Sequence, residues 1–361
     1  MKHILFAIGS LQGGGAERVV SVWASALAQR GYDVSVLVYA RVENEYPIDD
    51  RVAVHPIAKS LKECDAMSMV QRLKRFRKTL KTQKPDVVIS FLAEVQVYVA
   101  LASIGLHIPR VETVRVNPWR GNLLHTKFEK LWLWCFHSCR AVILQSEDQK
   151  AFFSKAVQEK SVVIPNPVNG KYIENEKTQY AYTKKIVAAG RLTQQKNYKM
   201  MIDGVKLLSQ RYEDISLHIY GEGALREELE TYIKDLGLSR QVFLMGRSSA
   251  LYDVYKDADV YVMSSDYEGM PNALAEAMAI GLPCISTDCK TGPRDLIDDG
   301  KNGFLVPCGD AQALAKKLEH IFSMPEEERR DLGKNARNKI MAFCGEKNSL
   351  NRLVNLIESI C

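Results

Sequence analysis

Short apolar runs recur along nearly the whole chain, each followed by a polar or glycine turn and then a stretch with helical periodicity. His3–Gly9, Asp33–Ala40, Asp86–Leu92, Arg110–Val116, Ala141–Gln145 and Ser161–Pro165 read as strands in the first half. Ile186–Ala189, Leu217–Tyr220, Gln241–Leu244, Val260–Met263 and Pro283–Ser286 read so in the second. Continuously apolar strands alternating with helices predict an α/β protein whose parallel sheets are covered on both faces. With 361 residues, 46% of them hydrophobic, the chain is large enough for two cores. The polar, turn-rich segment from Asn166 to Lys184 is the best boundary. This predicts a Rossmann-like domain over 1–168, a second over 182–345, and a closing segment 346–361.

The first strand leads into LQGGGAERV, a glycine turn opening a helix. A dinucleotide fingerprint needs G-x-G-x-x-G, and Gly13-Gly14-Gly15 is followed by Ala16, Glu17 and Arg18 instead, which weakens a nicotinamide reading. Glycines still let a backbone approach a ligand at a helix N-terminus, although the same residues also read as a tight turn.

The segment SSDYEGMPNALAEAMAIGLP (264–283) sets Glu268 and Glu276 eight positions apart around a helix start, with Pro271 expected at the first helical position. Free N–H groups there suit a pyrophosphate, so each carboxylate is better read as a hydroxyl acceptor: Glu276 for a ribose, Glu268 for a sugar. Taken alone, the segment also reads as a capped surface helix with two solvated acids. Upstream, IVAAGRLTQQKN (186–197) runs from a strand into a loop carrying Arg191 and Lys196. Two fixed cations near a departing pyrophosphate stabilise the charge that grows as a glycosidic bond breaks. ISLHIYGEG (215–223) is a further strand and glycine turn, with Glu222 at its tip.

In this order and approximate spacing, GRLTQQKN, GEG, the Glu268/Glu276 pair and TGPRDLIDDGKNGFLV (291–306) resemble glycosyltransferase family 4, the retaining nucleotide-sugar enzymes of GT-B fold. GGGAERV and IPNPV (164–168) extend the resemblance over nearly the whole chain. It implies two doubly wound domains facing each other across a cleft, with the last helix, Asn348–Ile360, returning to the first. It implies Arg191, Lys196 and Glu268 in catalysis, Arg191 and Lys196 on the donor pyrophosphate and Glu276 on the ribose. Glu268, with Gly269, Met270 and Asn272 beside it, would hold the transferred sugar, while Glu222, Gly14 and Gly15 complete the donor site. Glu17 and, after the strand where many members carry a histidine, Arg115 or Asn117 fall on the acceptor side. No metal and no cofactor beyond the UDP-sugar co-substrate is implied. The expected reaction moves a hexose or N-acetylhexosamine onto a polyprenyl-diphosphate-linked saccharide. A soluble small-molecule acceptor, or an epimerase acting on the nucleotide sugar alone, is the alternative.

Charge bears on the acceptor. Residues 1–168 carry a net +8 and 169–361 a net −2. Much of the excess lies in QRLKRFRKTLKTQKPD (71–86), where Arg72, Lys74, Arg75, Arg77, Lys78, Lys81 and Lys84 surround a stripe of Val70, Leu73, Phe76 and Leu80. Such a helix, Arg72 to Lys84, suits an anionic membrane surface or is an ordinary solvated helix; no nucleic-acid motif accompanies it. In the aromatic segment 119–140, Leu124, Phe128, Leu131, Trp132, Cys135 and Cys139 share one helical face as candidate core. Trp119, Trp134 and Phe136 are left as candidates to meet lipid. No stretch approaches the roughly twenty apolar residues of a spanning helix, and the eight cysteines are scattered without a zinc spacing. The expected location is cytoplasmic, peripheral on the inner face of the plasma membrane.

Overall fold

The computed structural model describes residues 1–120, 126, 128–180 and 183–361. These form two compact units, Met1–Pro167 with Lys347–Cys361, and Val168–Glu346. In the first unit the strands are β1 (His3–Ala7), β2 (Asp33–Val38), β3 (Ala53–Pro56), β4 (Val87–Ser90), β5 (Arg110–Thr113), β6 (Ala141–Leu144) and β7 (Ser161–Val163). They lie in the order β3-β2-β1-β4-β5-β6-β7, every neighbouring pair parallel. The second unit holds β8 (Lys185–Ala189), β9 (Ser216–Tyr220), β10 (Val242–Gly246), β11 (Val260–Met263), β12 (Cys284–Thr287) and β13 (Phe304–Val306). Their order is β10-β9-β8-β11-β12-β13, again all parallel.

Alternation along each central strand fills two cores per sheet. On β1, Ile4 and Phe6 pack with Trp23, Leu27 and Leu353 on one face, while Leu5 and Ala7 pack with Phe76, Leu80 and Val99 on the other. On β8, Ile186 and Ala188 face Met201 and Val205, whereas Val187 and Ala189 face Leu274 and Met278. Both faces are apolar, which is why these strands read as unbroken hydrophobic runs. The last helix, Glu346–Ile360, gives Leu353 and Ile357 to the core around Trp23. Ser349 ties it down, accepting from Trp23 Nε1 at 3.3 Å and donating to the Pro165 carbonyl at 2.9 Å.

Two surface expectations need correction. In the basic helix Met69–Gln83, Phe76 and Leu80 are buried, but Val70 is 60% exposed. Three of its arginines are engaged within the unit: Arg72 with Glu94 and the Cys64 carbonyl, Arg75 with the Ile57 carbonyl, and Arg77 with the carbonyls of Ala102 and Ile104. Lys74, Lys78, Lys81 and Lys84 are the exposed lysines of the segment. In the helix Glu129–Ser138, Phe136 is fully buried against Trp132 and Phe153, with ring centroids at 5.2 and 4.9 Å, and so cannot meet lipid. Phe128, expected in the core, is 39% exposed, as Trp134 is at 38%; Leu124 lies outside the described residues. Among the described residues no helix is long and apolar enough to cross a membrane.

Candidate active site

β8 and β11 are neighbours from which the chain departs in opposite directions, β8 towards β9 and β11 towards β12. At such a switch point the loops after the two strands part and leave a crevice at the strand ends. Those loops carry GRLTQQKN and SSDYEGMP.

Side chains stitch the two loops together. Asn197, in the left-handed region at φ 44°, accepts from the Met200 amide to start the helix Tyr198–Leu208, and its Nδ2 donates to Asp266 Oδ1 at 2.9 Å. The Asp266 amide donates to the Gln195 carbonyl, Gln195 Nε2 to the Tyr267 carbonyl, and Ser264 Oγ to the Lys196 carbonyl. The result fixes Lys196 Nζ at 2.6 Å from Glu268 Oε1, an oxygen that also accepts from Ser265 Oγ at 2.7 Å. Glu268 is only 7% exposed. Arg191 lies at the surface, and among the described residues no ion pair or side-chain hydrogen bond holds its guanidinium.

The glycines of GEG press the loop after β9 onto the loop after β8. A Cβ on Gly221, whose φ is +144°, would lie 1.9 Å from the Gly190 carbonyl oxygen, and one on Gly223 would lie 2.4 Å from that of Leu192. Between them the Glu222 carbonyl accepts from the Leu192 amide at 3.0 Å, while its carboxylate accepts from Arg226 at 2.7 Å. Glu222 therefore braces the Arg191 loop through its backbone.

The helix Asn272–Ile280 starts one residue later than expected. Pro271, at ψ 87°, is the cap whose carbonyl accepts from the Ala275 amide. Gly292, at φ +96°, makes room for this cap, since a Cβ there would lie 2.7 Å from Pro271 Cδ. Thr291 Oγ1 donates to the carbonyls of Glu268 and Gly269, orienting Gly269 and Met270. Glu276 is 5% exposed. Two buried carboxylates exclude the reading of a surface helix with solvated acids, because burial of a charged group is costly unless something is built around it.

Gly14, Gly15, Glu17, Arg115 and Asn117 belong to the first unit. Gly14 caps the helix Gly15–Gln29, and a Cβ on it would lie 1.9 Å from Glu17 Oε2, so the Glu17 carboxylate folds over the helix start. Asn117 is buried and accepts from the Trp119 amide at 3.0 Å, holding the turn Pro118–Arg120. Arg115 Nη1 donates to Asn166 at 2.8 Å, and its guanidinium lies over the rings of Trp23 and Phe91 at 4.6 and 5.0 Å. Burial pushes its pKa down to about 9. Two residues escape sequence reasoning. Ser265 carries no distinguishing pattern, and Tyr198 has a buried hydroxyl without a partner among the described residues, its pKa raised by burial and then by Glu268.

Comparison with known proteins places this geometry. Residues 13–171 match the family model "Glycosyltransferase Family 4" and residues 172–339 match "Glycosyl transferases group 1". A Campylobacter jejuni protein, "GalNAc-alpha-(1->4)-GalNAc-alpha-(1->3)-diNAcBac-PP-undecaprenol alpha-1,4-N-acetyl-D-galactosaminyltransferase", is 30% identical over 351 residues, 95% of each chain. The chain belongs to glycosyltransferase family 4. Within that family it is also 26% identical over 328 residues to the amylovoran biosynthesis glycosyltransferase AmsD of Erwinia amylovora, covering 89% of this chain and 90% of that one. Its two parallel sheets are those of the GT-B fold. HepE of Anabaena, solved in complex with UDP and glucose, superposes with a TM-score of 0.77 at 19% identity over 99% of both chains. This family 4 member is thus a glycosyltransferase related to bacterial enzymes of polysaccharide and lipid-linked glycan assembly.

Proposed function

We propose that the protein transfers a hexose or N-acetylhexosamine from a UDP-sugar to a hydroxyl of a polyprenyl-diphosphate-linked saccharide, with retention of anomeric configuration and no obligatory metal. The setting is assembly of bacterial O-antigen, capsule or a related glycan at the inner face of the plasma membrane. The observation that carries this reading is the pairing of Lys196 with buried Glu268 at the β8/β11 switch point, in a loop that also carries Arg191, whose guanidinium has no side-chain partner among the described residues. A cation already fixed in place, and a second one free to fork onto phosphate oxygens, are what a diphosphate leaving group requires. The C. jejuni relative's undecaprenyl-diphosphate acceptor supports the lipid-linked assignment, and the UDP complex of HepE supports the nucleotide.

In this mechanism the bond from the anomeric carbon to the β-phosphate oxygen breaks as the acceptor oxygen forms its bond on the same face. The departing phosphate oxygen takes the acceptor proton. Arg191 and Lys196 neutralise the charge left on the diphosphate, and Glu268 holds a sugar hydroxyl. Glu268 and Glu276 are donor ligands rather than a glycosidase acid–base pair.

Release of UDP from a panel of UDP-hexoses and UDP-N-acetylhexosamines tests this, with and without a polyprenyl-diphosphate-linked sugar and with GDP-mannose as control. UDP release from one donor, rising sharply with the lipid-linked acceptor and surviving chelator, is the expected result. Release only with a water-soluble acceptor, or only from GDP-mannose, overturns the acceptor or the nucleotide assignment. Full loss with chelator, restored by a divalent ion, overturns metal independence.

A further inference from the structure

A pocket of about 540 Å³ lies wholly within the first unit, where the chain leaves β4 and β5. Its size falls in the range of roughly 300–1,000 Å³ typical of small-ligand sites. The donor chemistry above makes no use of it. Leu92, Val97, Val114 and Trp132 give it a hydrocarbon wall. Met69, Val116 and Phe128 also line it and are 43%, 47% and 39% exposed, so the apolar lining continues out to solvent. Exposed large side chains gathered on one concavity mark a binding surface rather than ordinary scatter.

The polar groups on this pocket are informative because most are already used. Gln96 Nε2 donates to the Thr113 carbonyl at 2.7 Å, and its Oε1 accepts from Trp132 Nε1 at 2.9 Å. Glu94 pairs with Arg72 at 3.0 Å. A sugar ring would find few free partners for its hydroxyls. Arg115 differs: its one side-chain hydrogen bond goes to a neutral amide, and Nε and Nη2 have no partner among the described residues. Among the described residues no carboxylate pairs with it, and only the faces of Trp23 and Phe91 and the Asn166 amide meet its charge at the pocket, which Arg120 also lines. Hydrocarbon walls beside an arginine that lacks a carboxylate partner fit an amphiphile with an anionic head.

We propose that this pocket holds the first prenyl units of the lipid carrier, with the carrier diphosphate towards Arg115 and Arg120. The proposal rests on the lipid-linked acceptor reading and adds a chain-binding site to it. It assigns acceptor recognition partly to the hydrocarbon, so binding grows with chain length until the pocket is full and then levels.

The test is calorimetric titration of the full chain with isopentenyl, geranyl, farnesyl and geranylgeranyl diphosphate, with inorganic diphosphate and phosphatidate vesicles as controls. Kd should fall at least tenfold from isopentenyl to farnesyl and change little beyond. Ala93→Trp, which fills the pocket from a partly exposed position, should abolish that gain while UDP binding stays unchanged. Should Ala93→Trp not fold, Val116→Asp at the exposed rim should weaken farnesyl diphosphate binding at least fivefold. A flat chain-length series overturns the pocket, and if lipid-linked acceptor is still glycosylated the transferase reading survives. Length-dependent binding without transfer to any lipid-linked acceptor leaves the prenyl site standing and removes the acceptor reading. Phosphatidate binding as tight as farnesyl diphosphate overturns the carrier assignment.

Discussion

Lys196 Nζ lies 2.6 Å from Glu268 Oε1, joining a cation from the loop after β8 to a carboxylate from the loop after β11. The two side chains are 19% and 9% exposed, so most of the pair is shielded from water. The pairing is asymmetric in its consequences. Loss of the lysine strands a carboxylate in a shielded site, whereas loss of the acid releases an ammonium that still has a route to solvent.

Lys196→Met should lower kcat by about 10²–10³, the usual cost of removing one fixed group that stabilises developing charge. It should also destabilise the protein by about 1–3 kcal/mol through the unpaired carboxylate. In a double-mutant cycle with Glu268→Gln, the stability losses should fall short of additivity, and strict additivity would show the two groups to be uncoupled.

Arg191→Ala should leave the melting temperature unchanged, because no side-chain partner among the described residues is lost, while kcat/KM for the donor falls at least tenfold. Thermal denaturation alongside donor kinetics separates the outcomes. A marked drop in melting temperature would mean that the residue is structural.

Gly221→Ala should cost at least about 2 kcal/mol, since φ of +144° and an approach of 1.9 Å to the Gly190 carbonyl leave no space for a methyl group. Because that carbonyl precedes Arg191, donor affinity should fall in the same variant. Gly237→Ala, at φ +70° with nothing near its Cβ, is the control and should cost less.

Replacing Lys74, Lys78 and Lys81 together by glutamine should weaken sedimentation with anionic vesicles and leave stability intact. Arg77→Gln, which removes two hydrogen bonds to the carbonyls of Ala102 and Ile104, should do the opposite. Vesicle binding untouched by the triple change would return this helix to an ordinary solvated surface.

Lys177 provides a pH signature. Its pKa is pushed down to about 8, first by burial, although Nζ donates to the Lys256 carbonyl at 2.6 Å. Between the folded value and the unfolded value of 10.5 the unfolded chain holds the proton and the folded one does not. Stability from this group is therefore present above 10.5 and lost as pH falls through 8, on the order of 3 kcal/mol across the window. Unfolding measured from pH 8 to 10.5 should show that gain in the native protein and not in Lys177→Met.

The fold was legible wherever a strand is buried on both faces, because β1, β8 and β11 then read as unbroken apolar runs. β3 was not: its four residues, Ala53 to Pro56, are exposed or half-exposed and lack that signature. β13, only three residues long, was hidden inside a loop motif. At the site, residue types pointed to Arg191, Lys196, Glu268 and Glu276, but spacing along a chain cannot report that Lys196 and Glu268 touch. Nor could it show that Ser265 shares the same carboxylate oxygen. The basic helix misled for a related reason. Arg72, Arg75 and Arg77 resemble solvated lysines in sequence, and only the packed structure shows their guanidinium groups bonded to carbonyls and acids within the unit.

From Lys347 onward the helix Glu346–Ile360 belongs to the unit that holds Met1–Pro167, and Lys2 lies 2.5 Å from Glu358. A ribosome therefore delivers every residue of the Val168–Glu346 unit before it delivers the segment that covers Trp23. The unit encoded first is the last to be complete, and until then its Trp23 face awaits Leu353 and Ile357. A stop codon placed just before Leu353 would injure the amino-terminal unit and leave the nearer one whole.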